Sequence, residues 1–241
     1  MSPGTAGTPI AVLFDAAGTL IDSRFDLPKF ALDTAGDAGL KLEPESARVI
    51  GRLYLERRSE HERIEATRDQ VQVEAFWVDL TQTWLVAMGE DPGYATAMRR
   101  AAHERMFGTG GDVFSPFPDA APCLERLKSA GFRLAVVSNW DRTLHQALRY
   151  SQLDGYFEFA LASLEEGTEK PNPRIFEVAL ARLGLSPEEA VHVGDHLVDD
   201  IEGARNAGIR PIHLDRSGPT EGSMTTLAEL PVLLASLGRP S

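Results

Sequence analysis

Four polar residues stand where apolar runs of the chain stop. Asp15 ends Ile10-Ala-Val-Leu-Phe14, Ser138 ends Arg133-Leu-Ala-Val-Val137, Asp195 follows Ala190-Val-His-Val-Gly194, and Lys170 lies on the loop after the run 157–162. A carboxylate at the end of a buried strand is partly desolvated and can act as a nucleophile or a metal ligand. An Asp with a Gly three residues on also suits a plain turn. Asp15, Asp195 and one of Asp199 and Asp200 supply hard oxygens that repel one another unless a cation sits among them. With the backbone carbonyl of Ala17 they make the sparse oxygen set that Mg²⁺ takes. The other member of the Asp199–Asp200 pair is expected to cap a helix N-terminus. Ser138 and Asn139 offer a hydroxyl, an amide and backbone N–H groups to an oxyanion or a phosphate oxygen, or form a polar turn. Lys170 precedes Pro171-Asn-Pro173, a stiff helix start that would hold its ammonium in one place.

These residues share a site only if their strands lie side by side in one direction. The chain supplies that order. Strands are expected at 10–14, 133–137, 157–162, 190–193 and 209–214. Between them come helices that start at Asp119, Asp141, Asn172 and Asp199-Asp200 and stop near Gly131, Tyr150, Gly184 and Gly208. Strand and helix in alternation predict an α/β protein with a doubly wound, mostly parallel, Rossmann-like sheet, whose strand carboxyl ends share one edge. Ser186-x-x-Glu189 has capping-box spacing over a short turn, and 225–237 reads as a last amphipathic helix interrupted by Pro231. The block 23–110 breaks the rhythm. Helical spacing runs through 27–38, 44–65, 68–88 and 92–107 with no strand, too long for a simple crossover, and it is expected to be an inserted helical cap domain. The expected division is a tail at 1–9, an α/β core at 10–22 and 111–241, and the cap at 23–110.

Composition narrows the function. The 241 residues are 43% hydrophobic and 25% charged, with a net charge of -12, which speaks against a nucleic-acid partner. No apolar run is long enough to span a membrane. Cys123 is the one cysteine, so neither an intrachain disulfide nor a cysteine metal cluster can form. The first residues lack the basic start and apolar middle of a signal peptide, and a cytoplasmic monomer or homodimer acting on a small molecule is expected.

Asp15-x-x-Gly18-Thr19-Leu20, the strand ending in Ser138-Asn139, Lys170-Pro-x-Pro and Gly194-Asp195-x-x-x-Asp199-Asp200 resemble, in order and spacing, the four motifs of the haloacid dehalogenase superfamily of hydrolases. The resemblance runs from residue 10 to about 215 and is similar in kind to that superfamily's members with a small helical cap. It implies Asp15 as nucleophile and Mg²⁺ ligand, Ser138 as binder of a phosphoryl oxygen, Lys170 as charge balancer and Asp195 as second metal carboxylate. Gly18, Thr19 and Asn139 join Ser138 as substrate contacts.

One position departs from the pattern. Phosphatases of this superfamily usually carry a second Asp two residues after the first, which protonates the leaving alkoxide and then activates water. Here that residue is Ala17, and an alanine moves no proton. General acid–base help is worth about 10²–10⁴-fold, so alkyl phosphates are expected to be slow, and acyl or aryl phosphates and anhydrides to remain accessible. The resemblance offers other readings. In 2-haloacid dehalogenases halide leaves without a proton and the first motif is similar, Asp15-Ala-Ala-Gly-Thr-Leu20. Those enzymes use no metal, lack the Gly194-Asp195 pair, and carry Tyr where this chain has Phe176. Phosphonoacetaldehyde hydrolases also accept Ala there but need a cap lysine, and Lys29 and Lys41 stand in no matching context. A binding or regulatory protein on a hydrolase scaffold is the remaining reading. In the cap, Arg48, Arg52, Arg57, Arg58 and Arg63 read as a solvated face paired with glutamates, and Trp77 and Trp84 as cap core.

Overall fold

The computed structural model describes residues 9–111, 113–218 and 221–237. Residues 1–8, most of the expected tail, lie outside the described residues. The chain forms two compact units. One is built from the flanks, up to Ser23 and from Ser115 onward, the other from Arg24–Phe114.

In the first unit the apolar runs become strands. These are β1 (Ala11–Phe14), β2 (Ile21–Ser23), β3 (Phe114–Pro116), β4 (Arg133–Ser138), β5 (Phe159–Ala162), β6 (Ala190–Gly194) and β7 (Arg210–His213). Five of them make one parallel sheet in the order β5-β4-β1-β6-β7, and β2 and β3 pair separately. Every residue of β1 is 0% exposed, as a central strand covered on both faces must be. Its register places Phe14 beside Val136 of β4 and Val193 of β6. Asp15, Ser138 and Asp195 therefore leave three adjacent strands at one level, at the edge where ligands bind in open α/β sheets. The helix Pro173–Leu183 seats Ile175, Phe176, Ala179 and Leu180 against Leu13, Ala135 and Val137. Asn172 caps its start, accepting from the Arg174 N–H, and Gly184 ends it in the left-handed conformation.

Three helix starts differ from expectation. Asp119 stands at the cap position of Ala120–Ser129, but its carboxylate makes no capping bond. It accepts instead from Arg216, Thr226 and the Leu227 N–H, because a buried-side guanidinium is the stronger partner. The helix expected to open at Asp199-Asp200 opens earlier, as a π-helical turn Leu197–Glu202 continued by Gly203–Asn206. His196 caps it by accepting from the Asp199 N–H, so neither aspartate is the cap. Pro231 does not interrupt the last helix. It sits in the first turn of Leu230–Ser236, where its missing N–H costs nothing.

The second unit is helical: α1 (Leu27–Asp37), α2 (Ser46–Ala66), α3 (Gln70–Ala87) and α4 (Ala95–Phe107). Trp84, fully buried, packs with Ala35, Ile50, Leu85 and Met98 and donates its indole N–H to the Ser46 carbonyl. Arg52, Arg57 and Arg58 make surface ion pairs with Glu56, Glu60 with Asp79, and Glu62 respectively.

Candidate active site

At the edge of the parallel sheet a buried ammonium is held between two carboxylates. Lys170, 3% exposed, donates to Asp15 Oδ1 and to Asp200 Oδ1, each at 2.6 Å. Its backbone is fixed by Asn139, whose side-chain oxygen accepts the Lys170 N–H at 2.7 Å and whose NH₂ donates to the Lys170 carbonyl at 2.8 Å. The Asn139 amide, expected to face substrate, is thus spent on placing the lysine. Ser138 Oγ donates to Asp15 Oδ1 at 2.9 Å, so the expected phosphate binder and nucleophile touch one another. Thr19, fully buried, turns its hydroxyl onto Asp195 Oδ1 at 3.1 Å and steadies that carboxylate. Asp15, Asp195 and Asp200 each present an oxygen within 4.8 Å of the others. Asp199 stands apart from this group, partly exposed and 3.4 Å from His196 Nδ1. Ala17 follows in the turn, where it bridges to Ile21.

Two glycines are dictated by these carboxylates. Gly18 has φ +79, and a Cβ there would run into the Asp195 carboxylate. A Cβ on Gly194 would overlap the Asp200 side chain. Gly194-Asp195 is therefore a packing requirement for Asp200 as much as a turn.

The charges explain the titration behaviour. Burial raises the Asp15 carboxyl to about 7; Lys170 opposes this, and Asp200 and Asp195 add to it. Burial and Asp200 also raise Asp195, against the Thr19 hydrogen bond. Burial would raise Asp200 too, but Lys170 and His192 outweigh it and hold it well below the usual carboxylate range. Burial works against the charge on Lys170, and the two aspartates more than restore it, so its value lies above that of a free lysine.

Two contributors escaped the sequence reading. His192, fully buried on β6, places Nε2 2.9 Å from Asp200 Oδ1, with Phe176 edge-on at 4.9 Å. Burial lowers its proton affinity below that of a free imidazole, against the opposing pull of Asp200. A lone polar residue within the apolar Ala190-Val-His-Val193 was the available signal. Arg216 donates to the Gly18 and Thr19 carbonyls at 3.2 and 2.7 Å while gripping Asp119 and lying 3.8 Å over the Phe117 ring. No motif marks it.

A catalytic-looking carboxylate at a parallel-strand end, a lysine bridging it to a second, and a third at the next strand describe a hydrolase site. A family model for haloacid dehalogenase-like hydrolases matches residues 11–208, and the chain belongs to that family. It is 30% identical over 236 residues to haloacid dehalogenase-like hydrolase domain-containing protein 3 of Danio rerio, covering 92% of this chain and 95% of that protein. It is 32% identical over 212 residues to the glyceraldehyde 3-phosphate phosphatase of Methanothermobacter thermautotrophicus, covering 84% of each. Among solved structures, the 2-haloacid dehalogenase of Pseudomonas syringae pv. Tomato DC3000 superposes with a TM-score of 0.70 at 28% identity, over 95% of this chain and 99% of that one. The chain is a hydrolase with phosphatases and dehalogenases among its relatives, and no helix among the described residues is long and apolar enough to cross a membrane.

Proposed function

We propose that the chain is a Mg²⁺-dependent phosphohydrolase of small phosphorylated metabolites with good leaving groups, working through a phosphoryl group carried on Asp15. One observation carries this reading: Asp15, Asp195 and Asp200 gather oxygens within 4.8 Å of one another beside a single ammonium, an excess of carboxylates that a divalent cation would offset. Asp15, Asp195, the Ala17 carbonyl and Asp200 are the residues that would hold Mg²⁺, and the donor set, all oxygen, fits it. When bound, the ion supplies charge neutralisation for the phosphoryl oxygens.

The chain's own residues do the rest. An Asp15 oxygen attacks phosphorus and the bond from phosphorus to the leaving oxygen breaks, releasing that oxygen as an anion. Ser138 turns its hydroxyl to a phosphoryl oxygen, and Lys170 balances the charge of attacker and transferred group. Water then attacks the phosphorus, the bond from phosphorus to the Asp15 oxygen breaks, the water's proton passes to the departing phosphate, and the Asp15 carboxylate is restored. At Ala17 no side chain can give the first leaving group a proton, so acyl and aryl phosphates are favoured over alkyl esters. The phosphatase relatives support the reaction class. The enzyme would act on its small substrate as a cytoplasmic monomer or homodimer.

Ala17 also favours a second reading, attack of Asp15 on carbon with expulsion of halide, in keeping with the dehalogenase relative. One panel separates the two: phosphate release from acyl, aryl and alkyl phosphates, and halide release from 2-haloacids, each with Mg²⁺ or EDTA and beside Asp15→Asn. Phosphate release that needs Mg²⁺ and is lost in Asp15→Asn is the expected result. Halide release unaffected by EDTA would replace it with the second reading, and specific ligand binding without turnover would make the chain a binding protein.

A further inference from the structure

The cap holds a buried histidine–glutamate pair whose facing atoms no hydrogen bond satisfies. His61 and Glu65 lie one helical turn apart on α2, and both side chains are 1% exposed. His61 Nε2 and Glu65 Oε1 approach to 3.3 Å, yet neither atom, nor Glu65 Oε2, has a hydrogen-bond partner among the described residues. The two atoms thus stand close without making a hydrogen bond. A buried carboxylate without a partner is among the costliest arrangements a protein can hold.

The surroundings fix the imidazole without giving this edge a hydrogen-bond partner. Phe76 stacks on the ring at 4.8 Å, Trp77 meets it edge-on at 5.0 Å, and Tyr54 Oη lies 3.3 Å from Nδ1. With the Nδ1 proton given to the Tyr54 oxygen, Nε2 carries a lone pair beside a carboxylate oxygen. An oriented imidazole whose second nitrogen is hydrogen-bonded is the usual setting of a metal-ligating histidine. Two ligands each about 2.1 Å from a tetrahedral ion stand about 3.4 Å apart, which is close to the separation found here.

We propose that His61 and Glu65 form a cation half-site on α2 for a first-row divalent ion of the Zn²⁺ type, different in donor chemistry from the all-oxygen group on the sheet edge. Imidazole nitrogen beside carboxylate oxygen suits Zn²⁺, Co²⁺ or Ni²⁺ and disfavours Mg²⁺. Two side chains make a partial donor set, so moderate affinity is expected and the test is made at equilibrium with free ion.

The full chain carrying Asp195→Asn, which weakens the sheet-edge carboxylate group, is stripped with EDTA and dialysed against Zn²⁺ with Mg²⁺ in excess. The expected result is one bound Zn²⁺ per chain and a rise in thermal midpoint on adding Zn²⁺. Both should fall to less than a tenth when His61→Gln or Glu65→Gln is added. In the wild-type fold, with no change to the cap, Co²⁺ should shift and broaden the His61 imidazole NMR signals, which settles the matter even if a cap variant fails to fold. No bound Zn²⁺, retention of Zn²⁺ by the folded cap variants, or a doubly protonated His61 indifferent to Co²⁺ would each overturn the proposal. The last would identify the pair as proton-bridged.

Discussion

Lys170 is the residue on which the charge balance of the site rests, and its removal can be measured without knowing the substrate. At 2.6 Å from each of two carboxylates, its gross attraction to each is about 6 kcal/mol at an effective dielectric constant of about 20. Most of that is offset by the desolvation of three buried ions. Breaking such a buried pair from one side typically costs about 3–5 kcal/mol, and Lys170→Met should fall in that range because it strands Asp15 and Asp200 together. Asp200→Asn alone removes one charge-assisted bond and should cost about 1.5–3 kcal/mol. The two losses should not add. Once Lys170 is gone, Asp200→Asn removes a repelling charge, so the double variant should be about 2 kcal/mol more stable than the sum of the singles predicts. Urea unfolding of the four proteins in EDTA, so that no added cation compensates, gives the coupling directly. Additivity within about 0.5 kcal/mol would refute the picture of one lysine shared by mutually repelling aspartates.

Other expectations follow from neighbouring features. Ala17→Asp should raise turnover of alkyl phosphates relative to aryl phosphates by about 10²–10⁴-fold, measured as a ratio within each protein; an unchanged ratio would mean that a missing proton donor is not what limits the enzyme. Gly194→Ala should cost about 1–3 kcal/mol in chemical denaturation, because its Cβ overlaps Asp200, and an unperturbed variant would contradict that packing. Burial opposes ionisation of Asp119, but the bonds from Arg216, Thr226 and Leu227 outweigh it and hold the carboxyl below its ordinary value. A depressed value contributes stability above the unfolded pKa of about 3.9 and loses it as pH falls through the folded one. The stability gap between wild type and Asp119→Asn, about 1–2 kcal/mol at neutral pH after screening, should therefore close below about pH 4. Burial, with Asp119 adding to it, pushes the Cys123 thiol up to about 12, so the folded protein should resist a thiol-titrating reagent that reacts at once after unfolding.

What the sequence made legible is what depends on period and order. Apolar runs such as Ala11–Phe14, broken by polar residues and spaced by helices, could only be parallel strands with Asp15, Ser138 and Asp195 at a common edge. The Pro-x-Pro start and Asn172 cap were equally plain, since both are local chemistry. What stayed hidden depends on partners far along the chain. Asn139 looks like a ligand donor until Lys170, 31 residues away, takes both ends of its amide. Asp119 looks like a cap until Arg216 arrives from the far end of the chain. Asp199 and Asp200 cannot be told apart by type. Only the π-helical turn, with His196 as cap, rotates Asp200 inward to Lys170 and His192 and leaves Asp199 outside.

Ala17 acquires its meaning from this closed network. Every charged group at the sheet edge already has a partner in place: Asp15 with Ser138 and Lys170, Asp195 with Thr19, and Asp200 with Lys170, His192 and the His196 N–H. None of these contacts passes through the side chain at position 17. The parts that bind an anion, offer a nucleophile and balance its charge can thus stay assembled whatever stands there, while the two steps that move a proton, expulsion of the leaving group and activation of water, lose the side chain that usually moves it. A site so arranged keeps its power to attack and gives up its power to expel a basic alkoxide. The choice of reaction then passes from the enzyme's acid to the substrate's leaving group, and the acidity of that group should order the substrates more steeply than their size or shape.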